Sequence, residues 1–360
     1  GKMKINTISL KNFRNYNQCE VPLNSRINLF LGANGQGKTS LLEAIWFSIN
    51  GKSYRTPNAK NIISFSKKSA ELRIRTTYRN SINEIKILID ENKKKILVND
   101  KKIKNRAELK KILSTVLIDK EFKHSLEDSF RPRRISLDSI ISNISPNFSK
   151  KLKLYSRELK RKNEVLANKG SGEVLKFIND RIVNLAHDTS SERKLWLTRI
   201  NNIADKVLKK LIPASSLKCN IESECLVLDK LKEILDSNLE KESIIGKSII
   251  GSHKDKISFT LNNYDVFEFG SEGEKKSVSM ALKISEILLL KKINDEFPII
   301  LVDEIGSDFD KERFNFFYNF IASLDTQSFI TANNKNILDI NKKLDFTVFS
   351  IINGDCKKIS

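Results

Sequence analysis

Apolar positions recur along this chain in two rhythms, and the switches between them predict the elements. Ile5 to Leu10 alternates with the period of a half-buried strand, and Val21 to Leu31 supplies two more strands around a turn at Asn24-Ser25. Leu41, Leu42, Ala44, Ile45 and Ile49 then form a helical stripe that stops near Gly51. Short runs at Glu71 to Tyr78, Glu84 to Asp90 and Lys95 to Asn99, joined by polar turns, predict an antiparallel sheet. A helix is expected around Ala107 to Leu113, leading into V-L-I-D at Val116 to Asp119.

From Pro146 the pattern becomes wholly helical. Leu152, Tyr155, Leu159 and Leu166 mark a first helix as far as Asn168, and Gly170-Ser171-Gly172 punctuates it. Ile178, Ile182, Leu185, Trp196, Ile200, Ile203, Val207 and Leu211 keep one face apolar until Pro213. A helix of that length reaches about 60 Å at ~1.5 Å per residue. The pair reads either as an αα-hairpin arm or as a helical lobe packed on the core. Ile221 to Leu228 and Lys256 to Leu261 read as strands, and Val278, Ala281, Leu282, Ile284, Ile287 and Leu288 mark a further helix. Pro298 to Val302 is a continuous apolar run, as in a parallel strand buried on both faces.

The chemistry concentrates where these elements end. Gly32 to Thr39 reads G-A-N-G-Q-G-K-T, between the run Ile27 to Leu31 and the helix that opens at Ser40. It fits the phosphate-binding loop pattern: glycines at positions 32, 35 and 37 let backbone N–H groups of Gly32, Ala33, Asn34, Gly35, Gln36 and Gly37 approach phosphate oxygens, and the helix N-terminus adds its dipole. Lys38 would reach the β- and γ-phosphates of ATP, and Thr39 would hold Mg²⁺, with Ser40 beside it. Asp303-Glu304, at the end of the buried apolar run, completes the site: Asp303 as a Mg²⁺ contact, Glu304 as the group that orients or deprotonates water. Lys38, Asp303 and Glu304 are thus the catalytic candidates.

The long separation of loop and acidic pair excludes a compact small GTPase. It fits an α/β fold, an ABC-type ATPase head with a mixed sheet, helices and an antiparallel β-subdomain, split by an inserted α-helical arm. The expected division is 1–130 for the first part of the head, 131–215 for the arm and 216–360 for the rest of the head. That class needs a Ser-x-Gly turn at a helix N-terminus which a second subunit presses onto the γ-phosphate; Ser271 and Gly273 supply it in S-E-G-E. The loop Gly306 to Asp310 would lie at the same interface. For K-N-F-R-N-Y, Lys11 to Tyr16, two readings stand: packing by Phe13 and Tyr16, or Arg14 facing a nucleotide phosphate or DNA. Lys52 and Arg55 in K-S-Y-R-T-P offer two further cations.

Composition narrows the partners. The net charge of +20 suggests a polyanion, nucleic acid before membrane surface. The chain is also rich in Lys, Asn and Ile together, a bias that coding-DNA composition produces, so charge alone leaves solvated surface open. Cys19, Cys219, Cys225 and Cys356 contain no C-x-x-C pair, which suggests neither zinc nor a disulfide framework and points to a reducing cytoplasm. No apolar run is long enough to span a membrane, and no signal pattern opens the chain. His124, His187 and His253 are isolated, and His253 in G-S-H-K-D reads as structural.

The ordered set of motifs resembles the RecF family of SMC/Rad50-like ABC ATPases. It comprises N-F-R-N-Y, the phosphate loop with S-L-L-E-A-I, K-S-Y-R-T, R-R-x-x-L-D (Arg133 to Asp138), S-P-N-F (Ser145 to Phe148), G-S-H-K-D (Gly251 to Asp255), F-G-S-E-G-E and L-V-D-E followed by S-D-F-D. The resemblance implies a protein that forms a homodimer on DNA when ATP-bound, acts at gapped duplex or ssDNA–dsDNA junctions, and works with RecO and RecR in loading RecA. It also implies a slow, DNA-stimulated ATPase. Arg14 and Arg55 are carried over as phosphate or DNA contacts, and Ser271 and Gly273 as contacts made in trans. The family signature usually reads S-x-G-Q, so Glu272 and Glu274 place two carboxylates near a polyphosphate and should weaken closure unless Lys275 and Lys276 compensate. Against the alternatives, a transport-type ABC subunit is disfavoured by the basic charge and the N-F-R-N-Y start. A short-armed SMC/Rad50-like chromosome ATPase that clamps DNA structurally remains the second reading.

Overall fold

The computed structural model describes residues 3–24, 26–78, 80–103, 109, 113–304, 310–333 and 346–359. Most of the helix expected at 107–113, and Gly306 to Phe309, lie outside the described residues. The chain packs as two compact units, one of residues 1–120 with 290–360, the other of 121–289.

In the first unit, β1 (Lys4–Phe13), β2 (Tyr16–Pro22), β4 (Ser69–Tyr78), β5 (Ser81–Asp90), β6 (Lys94–Val98) and β7 (Lys101–Lys102) form an antiparallel sheet in the order β2-β1-β4-β5-β6-β7. The three expected runs are its centre, and alternation turns Leu72, Ile74, Ile85, Ile87 and Ile89 inward. A second sheet contains β3 (Ile27–Leu31), β8 (Thr115–Ile118), β12 (Ile299–Val302), β13 (Ser328–Ala332), β14 (Phe346–Ile352) and β15 (Asp355–Lys358), in the order β15-β14-β3-β13-β12-β8. All its pairings are parallel except β14 with β15. Helix α1 (Lys38–Asn50) contributes Leu41, Leu42, Ile45 and Ile49 to one core with residues of both sheets. It ends where Gly51 takes a left-handed φ of 66° and donates to the Phe47 carbonyl.

The register of the second sheet sets the position of the site. Leu31 pairs with Ala332 and Ser350, while Val302 pairs with Ile330 and Ile118. The carboxyl ends of β3, β13, β12 and β8 therefore finish along one edge, where α/β folds place their ligands.

The second unit is mainly helical: α2 (Lys120–Glu127), α3 (Phe130–Ile144), α4 (Pro146–Ala167), α5 (Gly172–Leu211), α6 (Leu228–Ser237), α7 (Leu239–Ile245), α8 (Val266–Phe269) and the start of α9 (Glu272–Asn294). A last helix, α10 (Lys311–Ser323), belongs to the first unit. None of the helices is long and apolar enough to cross a membrane, among the described residues. Ser145 caps α4 by accepting from Phe148 N–H at 3.2 Å, with Pro146 in the first turn. Helices α4 and α5 pack side by side across the expected 170–172 turn.

One expectation needs correction. The strand placed at Ile221 to Leu228 is β9 (Leu217–Glu222), because the Ser223 hydroxyl accepts from Cys225 N–H at 3.1 Å and turns the chain into α6. Residues 216–289 lie in the same compact unit as 121–215. Strand β9 pairs with β10 (Lys256–Leu261), itself paired with β11 (Tyr264–Asp265), and this small sheet lies on α3 and α5.

A buried charged network explains that packing. Arg193, 1% exposed, clasps Asp138 through Nε at 2.7 Å and Nη2 at 2.9 Å. Its Nη1 pairs with Asp255 and donates to Ser252 Oγ at 2.7 Å. Arg134 donates to the Asp255 carbonyl at 3.2 Å, and Arg133 to the Ile257 carbonyl at 3.1 Å and Asp265 at 3.2 Å. R-R-x-x-L-D and G-S-H-K-D are thus two halves of one structural joint. His253 belongs to it: its Nδ1 lies 2.6 Å from the Tyr155 hydroxyl, and burial holds its pKa down at about 4, which keeps the ring neutral. Replacing Arg193 with Ala removes the ion pairs that clasp the buried Asp138 and Asp255, so denaturant unfolding should show a loss of about 3–5 kcal/mol in the helical unit. Asp138→Asn should cost less, and equal stability of Arg193→Ala and wild type would contradict the joint.

Candidate functional site: a phosphate loop facing an acidic pair

The loop after β3 is braced from both sides. Tyr16 Oη donates to the Gly37 carbonyl and Asn15 Nδ2 to the Gln36 carbonyl, each at 2.9 Å. Opposite, the Gly354 N–H donates to the Gln36 carbonyl at 3.0 Å, and the Asn353 N–H to Gln36 Oε1 at 2.8 Å. Gly37 adopts φ 115°, and a Cβ there would meet the Asn15 side chain at 2.8 Å, so only glycine suits the position. A Cβ on Gly32 would collide with the Ile351 carbonyl. The apex, Ala33, Asn34 and Gly35, stays exposed, with the N-terminus of α1 directly behind it.

Lys38 and Thr39, the first residues of α1, meet the acidic pair. Thr39 Oγ1 donates to Asp303 Oδ1 at 3.1 Å, and the buried Thr331 hydroxyl donates to the same oxygen at 2.8 Å. Lys38 Nζ lies 2.9 Å from Glu304 Oε1, 2.5 Å from Asn333 Oδ1 and 3.3 Å from the Ala33 carbonyl, and also donates to the Gly32 carbonyl. Glu304 takes a left-handed φ of 46°, a strained setting for a non-glycine residue, and its N–H donates to Thr331 Oγ1 at 3.0 Å. Burial pushes the Asp303 carboxyl above its ordinary pKa; the Thr331 and Thr39 hydroxyls pull it back, and Glu304 and Asp119 push it further up. A hydroxyl and a carboxylate side by side, with negative charge to offset, suit a divalent cation. The exposed apex and Lys38 suit a polyphosphate.

Sequence reasoning missed several of these partners. Thr331 and Asn333 sit at the end of β13, S-F-I-T-A, a second buried apolar run that ends in polar residues and could have been found by the rule that found Asp303. Arg14 is tied to protein groups: Nε and Nη2 grip Glu43 at 2.9 and 2.8 Å, and Nη1 donates to the Asn61 carbonyl at 2.9 Å. Arg55 adds a third bond to Glu43 at 3.1 Å and Ser53 a fourth at 2.5 Å, while Arg55 also reaches Ser40 Oγ at 3.5 Å. Glu43 is fully buried, so these cations fix α1 behind the loop. Phe13 and Tyr16 are fully buried, the packing reading of that motif.

In the second unit, Ser271 and Glu274 form a capping box on α9. The Ser271 N–H donates to Glu274 Oε2 at 2.7 Å, and the Glu274 N–H to Ser271 Oγ at 3.3 Å. Tyr264 Oη donates to the other Glu274 oxygen at 2.7 Å. Glu272 meets Lys123 at 2.9 Å and Lys275 at 3.7 Å; the Lys123 bond, with Lys275 and Lys276 nearby, holds its carboxyl below the usual range. The two carboxylates that distinguish this turn are therefore partnered by protein groups. Ser271 stays exposed, while Gly273 is half-buried and its carbonyl accepts from Ser277.

Comparison with known proteins places these features in context. The profile of the RecF/RecN/SMC N terminal domain family matches residues 4–352. A DNA replication and repair protein RecF from Macrococcus caseolyticus is 30% identical over 86% of this chain and 88% of its own. The solved recombination mediator protein RecF–ATPrS of the RecFOR pathway superimposes with TM-score 0.90 at 26% identity, covering 100% of this chain and 99% of that one. An Smc head domain from Pyrococcus furiosus shares the fold at TM-score 0.58 and 16% identity, over 99% of this chain and 96% of its own. The fold is the mixed α/β ABC-type ATPase head.

Asp303 supplies a test of the site's electrostatics. Its folded pKa lies above the unfolded value, so the ionised carboxylate destabilises the fold as pH rises through that folded pKa. Asp303→Asn should then raise the melting temperature of the nucleotide-free, metal-free protein at neutral pH, and the gain should shrink on acidification. The same variant should lose Mg²⁺-dependent nucleotide binding. Calorimetry across pH, with titration of nucleotide with and without Mg²⁺, checks both.

Proposed function

We propose, from the premise that this chain belongs to the RecF family, that it is an ATP-dependent DNA-binding protein of recombinational repair. The observation that carries this reading is the meeting of Lys38 and Thr39 with Asp303 and Glu304 at one sheet edge. Binding ATP would draw Lys38 from the Gly32 and Ala33 carbonyls and from Glu304 onto phosphate oxygens. Glu304, relieved of that ion pair, becomes free to orient water and accept its proton. Thr39 and Asp303 would hold Mg²⁺, whose charge neutralises the phosphates. Thr331 keeps the acidic pair in place, and Asn333 holds the Lys38 ammonium.

Ser271 and Gly273 would act on the nucleotide of a second copy, so that ATP closes a homodimer and hydrolysis reopens it. The capping box keeps the Ser271 hydroxyl at the exposed start of α9, with the helix dipole behind it. The net charge of +20 supports DNA as the surface on which the dimer closes, gapped duplex or ssDNA–dsDNA junctions by family resemblance, with RecO and RecR as partners in loading RecA. A cytoplasmic location accords with this reading.

Sedimentation with ATP, Mg²⁺ and a gapped duplex tests it. Wild type should dimerise with ATP, and its DNA affinity should drop by about three orders of magnitude between roughly 50 and 200 mM salt if about six phosphates are neutralised. Lys38→Ala should lose nucleotide binding. Ser271→Ala should keep nucleotide binding but lose dimerisation and turnover. A wild type that stays monomeric, or DNA binding indifferent to salt, would sink the mechanism.

A further inference from the structure

Phe65 has 98% of its surface open to solvent, the highest exposure of any large apolar side chain among the described residues. It stands at the apex of a four-residue turn, Ser64 to Lys67, closed by the Lys67 N–H on the Ser64 carbonyl at 3.0 Å. Ser66 occupies the third position with φ 63°, which such turns normally give to glycine. The turn is held firmly at its base. Ser64 N–H donates to the Asn12 carbonyl at 2.9 Å, Ser64 Oγ to the Arg14 carbonyl at 2.7 Å, and Ile63 bridges Phe13. The ring is therefore presented on a fixed support. No packing requirement of the first unit accounts for it.

The chemistry around the ring is basic and polar. From Gly51 to Ala70 the chain carries Lys52, Arg55, Lys60, Lys67 and Lys68 and no acidic residue. Arg55 is taken by Glu43, while Lys60, Lys67 and Lys68 are exposed. Protein docking sites surround an aromatic anchor with further apolar surface, and Ser64, Ser66, Lys67 and Lys68 provide none. A lone exposed ring among lysines matches a single strand of nucleic acid, whose bases stack on aromatics while its phosphates take the cations. We propose that the Phe65 turn stacks on an unpaired base of DNA, with Lys60, Lys67 and Lys68 neutralising the flanking phosphates. This rests on the DNA-binding reading above and adds the site that distinguishes unpaired from paired DNA. The segment that carries the turn, Asn12 to Tyr16, is also the one that braces the phosphate loop through Asn15 and Tyr16. Strand contact and nucleotide contact thus share one support.

The test measures anisotropy of three labelled probes, a single-stranded oligonucleotide, a gapped duplex and a continuous duplex, with full-length wild type, Phe65→Ala, Phe65→Trp and Lys67→Glu/Lys68→Glu. Phe65→Ala should weaken single-stranded and gapped DNA by about 5- to 150-fold, the loss of one stacked base, and leave the continuous duplex within about twofold. Phe65→Trp should restore binding, and the double lysine variant should weaken all three probes and flatten the salt dependence. 2-Aminopurine in the gap should change fluorescence on binding wild type but not Phe65→Ala. If Phe65→Ala binds every probe as wild type does, or loses all three equally, the stacking site is overturned. A wild type that binds none of the probes at low salt would instead remove the DNA-binding reading, and the stacking site with it.

Discussion

The constraint on which the rest depends is the parallel pairing of β3 with β13 and β14, and of β12 with β13 and β8. Parallel strands in register must finish on the same side. Because Leu31 is level with Ala332, and Val302 and Ile118 are level with Ile330 two residues earlier, whatever follows each strand emerges along one edge. A glycine loop from the first tenth of the chain and a carboxylate pair from its last fifth are brought within hydrogen-bond distance by that register alone. No flexible segment has to find its partner. The same arrangement explains why the site residues are so densely bonded to backbone: the Gln36 and Gly37 carbonyls are claimed from two sides before any ligand is considered.

Much of this was legible in the chain. The continuous run Pro298 to Val302 ending on two acids, the loop between a strand and a helix, and the long helical stretch all follow from local patterning, because each is decided by neighbours close in sequence. What was not legible is pairing across distance. Glu43 stands in the sequence as a single glutamate in a helical stretch, yet it is fully buried and gathers Arg14, Ser53 and Arg55. Nothing near it in sequence announces two arginines from other elements. The strand misplaced at Ile221 to Leu228 failed for a different reason: Val227 and Leu228 are apolar but solvent-exposed, and one serine hydroxyl outweighed their strand propensity.

Several motifs that carry the family resemblance turn out to serve architecture. Arg133 meets Asp265, Arg134 meets the Asp255 carbonyl and Asp138 meets Arg193 within the helical unit, and S-P-N-F is a helix start whose Phe148 ring lies 5.9 Å from the Arg193 guanidinium. Buried ion pairs of this kind add little net stability compared with apolar residues of equal size, but they tolerate few alternative packings. Their use is to specify which helix meets which turn. A second such pair, Lys162 with Glu242 at 2.6 Å and both fully buried, ties α4 to α7 in the same way.

The order of the strands has a consequence for the birth of the molecule on the ribosome. Both neighbours of β3 are encoded near the C-terminus, at Ser328–Ala332 and Phe346–Ile352. At about 5–20 residues per second, the segment Ile27–Leu31 waits tens of seconds for either to be made. Throughout that interval a mainly apolar strand stands without either of its sheet neighbours. The rate of translation thus sets how long that strand must wait for the partners that complete its sheet.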